Sequence, residues 1–344
     1  MFAMTSLVIR FLPSDVELSC DGETTILEVA LAAGFIPNHS CRRGECGACK
    51  TRIVSGSVRY LSGRPEALTE GHCLSCMAIP TTNVILDSPE VLKVTGRRTV
   101  KVGTRVTSVE RLGSDVAVVR IQAPADSGFC FRPGQYVDVL MRDGNRRSYS
   151  MANNPEESGV IELHIRAIPG GRFSQHVYRN LKLRDMLKIE GPFGTFTLRE
   201  SDAPLIFVAS GTGYAPIASM MRTHAEDIAR RGAAFYWGAR RQEDLYAFEE
   251  AVEWARSCDR LRFIPVLSDP SLDWQGRTGF VQDAVQDDYS DLSAFEVYAC
   301  GNPLMIVAAR RAFCLQCGLK EANFLSDSFV AAPCNTGMVS TPLF

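Results

Sequence analysis

"HSCRRGECGACKTR", residues 39–52, puts Cys41, Cys46 and Cys49 within nine residues at the spacing C-x-x-x-x-C-x-x-C. Thiolates are ligands for soft metals, and three of them in so short a segment point to a metal-binding loop. Gly44, Gly47 and Ala48 agree with that reading. A loop around an anionic sulfur centre must bend tightly and bring backbone N–H groups up to the sulfurs, and bulky side chains would hold the backbone off. The fourth ligand has to come from "HCLSCMAIP", residues 72–80, where Cys73 and Cys76 both qualify. A structural zinc site is the other use of four thiolates, but its cysteines usually come as two closely spaced pairs.

Beyond this segment, 344 residues are too many for one ordinary core and predict two or three domains. Apolar residues make up 46% and charged residues 22%, as in ordinary globular proteins. A formal charge of -2 with no Lys/Arg-rich run excludes nucleic acid as the expected partner. No apolar stretch approaches the roughly 18 residues that span a bilayer, and "SLVIRFL", residues 6–12, lacks a signal peptide's long apolar region, so a reducing cytoplasm is the expected location. Twelve cysteines are too sparse for a disulfide framework. Those outside the N-terminal group are scattered, and the pair Cys314 and Cys317 reads as small hydrophobes on a helix.

Three rhythms follow one another along the chain. Residues 5–20 alternate as a hairpin, "TTILEVALAAG" (24–34) carries a Thr25/Glu28 capping box before a helix that Gly34 can stop, and "KTRIVSGSVRY" (50–60) resumes a strand; together they predict a small β-grasp unit over residues 1–95. From 96 to 200, "VAVVRIQAP", "GQYVDVLMR", "RRSYSMAN" and "VIELHIRAI" are short alternating strands, with one helix at "SQHVYRNL", which predicts an antiparallel β-barrel. From 201 to 331, the buried strands "PLIFVA", "AAFYWGA", "RFIPVL" and "FEVYACG" alternate with helical stretches such as "APIASMMRTHAEDIARR", predicting a parallel α/β domain. Residues 332–344 form a tail with no assigned role. The chain shows no internal repeat and no low-complexity tract.

The cysteine spacing resembles that of plant-type [2Fe-2S] ferredoxins. In those proteins the last ligand follows a leucine as L-x-C, which implies Cys76, with 26 residues between it and Cys49. "RRSYSMAN" resembles the R-x-Y-S motif of the ferredoxin–NADP reductase superfamily, and the resemblance implies that Arg147 pairs with flavin phosphate, Tyr149 packs on the isoalloxazine and Ser150 lies near its reactive nitrogen. The residue types suit those tasks, a guanidinium for phosphate oxygens and an aromatic plane for a flavin ring. "PGGRFSQHV" (169–177) is similar to the family's second phosphate contact, with Gly170 and Gly171 in a turn before Ser174; Ser148, His164 and Phe173 join the implied flavin-binding set.

"FVASGTGYAPIASM" (207–220) resembles the G-T-G-x-A-P of the family's nicotinamide domain, with Gly211, Thr212, Gly213 and Pro216 between a strand and a helix. "YACGNPLM" supplies Cys300 and Gly301 for the nicotinamide edge, and "FLSDSF" supplies Asp327 and Phe329, an aromatic of the kind that covers the flavin in relatives.

The order ferredoxin, flavin, nicotinamide is similar to the single-chain reductases of bacterial aromatic-ring oxygenases and monooxygenases, and to the reductase of CDP-hexulose deoxysugar biosynthesis. The resemblance implies a hydride passing from NADH to FAD and single electrons passing to the cluster, with no catalytic general acid, base or nucleophile. Ser150, Cys300 and Asp327 stand near the exchange. NADPH is the alternative donor, since "WGARRQEDLY" (237–246) offers Arg240 and Arg241 for a 2′-phosphate and Glu243 and Asp244 for a 2′-hydroxyl. The expected acceptor is a terminal oxygenase, with an iron–sulfur dehydratase as second choice and Arg42 and Arg43 as docking residues for an acidic partner. A redox-sensing iron–sulfur module without turnover is the competing expectation from another class.

Overall fold

In the capping box predicted at Thr25, both arms form: the Glu28 amide donates to the Thr25 hydroxyl at 3.3 Å and the Thr25 amide to the Glu28 carboxylate at 3.4 Å. They start the helix Ile26–Ala32, and Gly34 follows its end in left-handed geometry at φ +80°. The computed structural model describes residues 6–42, 44, 47–61, 68–88, 91–93 and 99–329, so Arg43, Cys46 and the tail 332–344 lie outside the described residues. The chain divides into two compact units, Met1–Arg98 and Thr99–Phe344.

In the first unit the hairpin Leu7–Leu12/Val16–Cys20 joins a five-stranded sheet in the order Val16–Cys20, Leu7–Leu12, Val84–Asp87, Lys50–Ser55, His72–Leu74. The pairing of Leu7–Leu12 with Val84–Asp87 is parallel and the other pairings in this sheet are antiparallel. Alternation sends Ile9, Phe11, Val84 and Leu86 inward onto Ile26 and Ala30 of the helix, forming one core. This is the β-grasp arrangement.

The second unit holds two six-stranded sheets. One is antiparallel throughout, in the order Arg146–Ser150, Tyr136–Leu140, Met186–Phe193, Val100–Leu112, Val116–Gln122, Val160–Arg166, and a bridge between Met151 and Leu163 closes it into a barrel. The other is parallel, in the order Arg277–Thr278, Leu261–Leu267, Ala233–Ala239, Leu205–Ser210, Glu296–Gly301, Phe324–Ser328. Its central strands are apolar on both sides because each side meets helices: Tyr214–Thr223, Ala225–Arg231 and Phe248–Ser257 cover Phe207, Phe235 and Trp237, whereas Val281–Asp288 and Pro303–Gln316 cover Ile206, Val208 and Tyr236.

Two features depart from the sequence reading. "APIASMMRTHAEDIARR" forms two helices, because Thr223 bonds its hydroxyl back to the Ser219 carbonyl at 2.7 Å and His224 leaves helical geometry at φ -112°, ψ 32°. The 13-residue strand Val100–Leu112 carries a register shift between Val106 and Ser108, and this breaks the alternation by which strands are read.

Barrel and parallel sheet are bound into one unit by a buried polar network. Glu162 of the barrel, 3% exposed, accepts from Arg222 Nη1 at 2.7 Å, Arg120 Nη2 at 2.7 Å and His164 Nε2 at 3.0 Å. Arg222 extends to Glu250, which also accepts from the Tyr214 hydroxyl at 2.7 Å. Desolvating a carboxylate costs several kcal/mol, so such a group persists only when it is fully paired.

Candidate cofactor and electron-transfer sites

The cysteine loop leaves the short strand Phe35–Pro37 and rejoins the sheet at Lys50–Ser55. Its glycines take backbone geometry that other residues resist, Gly44 at φ +79° and Gly47 at φ +72°. A Cβ on Gly44 would come within 2.8 Å of Met77 Cγ, so a larger residue would push the turn off the 72–80 segment. Beside it the Ser75 amide donates to the Cys49 carbonyl at 3.1 Å and the Leu27 amide to the Ser75 carbonyl at 2.9 Å, which ties both cysteine segments to the helix.

The result is a pair of facing thiols, with Cys49 Sγ and Cys76 Sγ 3.2 Å apart in a small apolar pocket with Leu27 and Leu74. The hydrogen bond to Cys76 and burial together hold the Cys49 thiol well above its ordinary pKa. Two buried sulfurs this close suit a shared metal centre, which would take both as thiolates. Cys73 belongs instead to the sheet core with Ile9 and Phe11, fully buried, its thiol pushed up to about 12 by burial and then by Cys49. Cys41 is half-buried on the same loop. His39 is buried, donates Nδ1–H to the Pro37 carbonyl at 2.9 Å, and is held neutral by burial, which lowers its pKa to about 4.

In the second unit, alternation along Arg146–Ser150 sorts the flavin motif onto two faces. Tyr149 turns into the barrel core against Phe173, ring centroids 5.7 Å apart. Arg147 is half-buried and donates to the Arg146 carbonyl at 2.8 Å. Ser148 points the other way and donates to Asp138 at 2.7 Å. Gly170 and Gly171 form the expected turn, but the helix begins at Arg172, and the Ser174 hydroxyl is used inside the turn, accepting from the Ile168 amide and donating to the Gly171 carbonyl. His164 has both ring nitrogens engaged, with Glu162 at 3.0 Å and the Tyr246 hydroxyl at 2.8 Å.

The nicotinamide motifs meet at the C-terminal ends of the parallel strands. Gly211–Gly213 form a single 3-10 turn that leads into the helix Tyr214–Thr223; neither start has a side-chain cap, the Tyr214 amide donates back to the Gly211 carbonyl, and the positive end of the helix favours an anion at the glycine turn. Thr212 is half-exposed on this turn and Pro216 is buried in the first turn of the helix. A Cβ on Gly213 would stand 2.1 Å from the Cys300 carbonyl oxygen, so only glycine lets the turn and the Cys300–Gly301 strand end touch. Cys300 is fully buried, and burial followed by the Asp327 charge raises its pKa well above the ordinary thiol value. The Phe329 amide donates to the Gly301 carbonyl at 2.8 Å.

Barrel and sheet converge where the Ser150 hydroxyl reaches Asp327 Oδ2 at 3.4 Å, both groups buried. The Ser328 hydroxyl is buried at the same strand end without a hydrogen-bond partner among the described residues, as a surface that receives a polar ligand would be. Sequence reasoning missed Arg166: its Nη1 would lie 3.1 Å from a Gly211 Cβ, which puts a guanidinium beside the anion turn, while Nε pairs with Asp115 at 3.3 Å. Its only sequence signal is a cation at the end of "ELHIR".

Residues 9–81 match the family described as 2Fe-2S iron-sulfur cluster binding domain, residues 103–198 the oxidoreductase FAD-binding domain and residues 207–311 the oxidoreductase NAD-binding domain. The chain is 37% identical over 328 residues to CDP-6-deoxy-L-threo-D-glycero-4-hexulose-3-dehydrase reductase of Yersinia pestis, covering 94% of this chain and 99% of that protein. It is 33% identical to a terephthalate 1,2-dioxygenase reductase component of Comamonas, covering 93% and 96%. The structure of Amycolatopsis cytochrome P450 reductase GcoB superposes with a TM-score of 0.76 at 29% identity, covering 94% and 98%. The chain therefore belongs to the family of single-chain reductases that join an iron–sulfur domain, an FAD-binding domain and an NAD-binding domain, and it is an NAD(P)H-dependent oxidoreductase that passes electrons to a partner.

Proposed function

We propose that the chain draws electrons from NADH and delivers them, through FAD and a [2Fe-2S] cluster on Cys41, Cys46, Cys49 and Cys76, to the terminal oxygenase of an aromatic-ring dioxygenase or monooxygenase system. The observation that carries the proposal is the convergence of Ser150, Cys300 and Asp327, which brings the flavin motif of the barrel to the nicotinamide motif of the sheet. FAD held there would supply a two-electron hydride acceptor able to give up electrons singly, and a cluster on the cysteines would supply a one-electron carrier.

The chain's own residues bind and orient. Arg147 would hold flavin phosphate, Tyr149 and Phe173 would form the apolar wall, and the Gly211–Gly213 turn with the following helix start would receive the dinucleotide pyrophosphate. Burial of Ser150, Cys300 and Asp327 keeps water from the exchange. The proposed domain limits are 1–95, 96–200 and 201–331, and the proposed location is a reducing cytoplasm; among the described residues no helix is long and apolar enough to cross a membrane.

The oxygenase reading draws on the dioxygenase component and the P450 reductase among the relatives. A second reading, an iron–sulfur dehydratase of CDP-deoxysugar biosynthesis as acceptor, is favoured by the 37% identity to the dehydrase reductase. The test is NADH oxidation by the purified chain with ferricyanide, then with each class of acceptor. Turnover coupled to aromatic hydroxylation supports the first reading, and turnover coupled only to dehydratase reduction replaces it with the second. Absence of both NADH and NADPH oxidation with ferricyanide would leave the redox-sensing module in its place.

A further inference from the structure

The strand ends that face the dinucleotide carry a pairing that the sequence does not disclose. Arg240 and Arg241 follow the strand Ala233–Ala239 and stand exposed, as cations that meet a nucleotide 2′-phosphate would. Across from them, Asp269 follows the neighbouring strand Leu261–Leu267. The parallel ladder continues past both strand ends, with the Ser268 amide donating to the Ala239 carbonyl at 3.0 Å and the Asp269 amide to the Arg240 carbonyl at 2.9 Å. The backbone therefore fixes Asp269 beside the two arginines. Its Oδ2 lies 3.7 Å from Arg240 Nη2 and 3.4 Å from Arg241 Nε.

We infer that Asp269 is a specificity-determining residue that selects NADH over NADPH by occupying the two guanidiniums a 2′-phosphate would need. The inference rests on the proposed reaction and names the side chain that sets its donor. Asp244 adds to the effect, since its Oδ2 accepts from the Arg241 amide at 3.1 Å. With Glu243 exposed on the same turn, two cations stand among three carboxylates. A phosphate carrying nearly two negative charges meets no net attraction there, whereas a 2′-hydroxyl is neutral and meets carboxylate acceptors.

The experiment compares kcat/KM for NADPH and NADH, with ferricyanide as acceptor, in the wild type, Asp269→Asn and Asp269→Asn/Arg240→Gln/Arg241→Gln. Wild type prefers NADH. Asp269→Asn raises the NADPH-to-NADH ratio by about tenfold, carried by KM because the 2′ position is remote from the hydride, and the gain shrinks at high ionic strength. The triple variant loses the gain. An unchanged ratio in Asp269→Asn, a gain that survives in the triple variant, or a wild type that prefers NADPH would each overturn the inference while leaving the reductase reading intact. A wild type that oxidises neither nucleotide would overturn the reductase reading, and this inference with it.

Discussion

The cysteine loop and the proposed flavin–nicotinamide junction are built in opposite ways. The proposed ligands of the loop come from one N-terminal segment, where a few turns and one helix hold Cys49 and Cys76 with their sulfurs 3.2 Å apart. The junction joins Ser150 to Asp327 across 177 residues, and it exists only because a closed barrel and a parallel sheet share one buried network. The loop is thus sensitive to single ligands, whereas the junction is sensitive to whatever sets the distance between two sheets.

The largest effect falls on the loop. Cys76→Ser should abolish acid-labile sulfide and lower cytochrome c reduction by more than about 100-fold while sparing NADH-dependent ferricyanide reduction. Cys73→Ser should keep its sulfide and lose only about 1–3 kcal/mol of stability from a hydroxyl placed in an apolar core. Sulfide and urea titrations of the two variants measure the contrast, and the reverse pattern would reassign the fourth ligand.

Gly213→Ala carries the same question to the junction. The new methyl would meet the Cys300 backbone, which cannot move cheaply, and a shift of the turn by an ångström should cost about 100-fold in NADH-dependent ferricyanide reduction while acid-labile sulfide stays at the wild-type level. Stopped-flow flavin reduction checks it.

Arg222→Met comes next, because it removes one of the two guanidiniums that pair with buried Glu162 at 2.7 Å. A loss of about 3 kcal/mol is expected, a fall of roughly 9 °C in Tm for the second unit by calorimetry. Burial alone would raise the Glu162 pKa, but the His164 hydrogen bond and the Arg222 charge outweigh it and hold the carboxyl far below its ordinary value. A carboxyl depressed in the folded state stabilises above its unfolded pKa, about 4.3, and that contribution is lost as pH falls below it. The stability gap between wild type and Glu162→Gln should therefore narrow in urea titrations run from about pH 5 down to the acid limit.

The smallest effect is local. Thr25→Ala removes the hydroxyl arm of the capping box and should cost about 1 kcal/mol in the first unit, read from its urea midpoint, with the second unit unmoved.

Much of the candidate site was legible where chemistry follows local spacing. Three loop cysteines, the Gly170–Gly171 turn and the glycine turn before Tyr214 are short-range signals, and the structure forms those turns. Other parts were not legible. Ser148 and His164 look in sequence like their neighbours in the same strands, yet the pleat turns Ser148 to Asp138, and His164 is spent between Glu162 and Tyr246. Arg166 and Asp269 carry no motif, and their partners sit in the turns that flank other strands, Asp115 before Val116–Gln122 and the two arginines after Ala233–Ala239.

Which residues bend, cap and alternate is written in the chain alone, because those preferences act between positions a few residues apart. Folding in three dimensions was needed to set Cys49 against Cys76 while Cys73 turns into the core, to bring Ser150 to Asp327, and to seat Asp269 against two arginines. These contacts depend on strand order and register, which are set by burying whole sheet faces against helices and against each other.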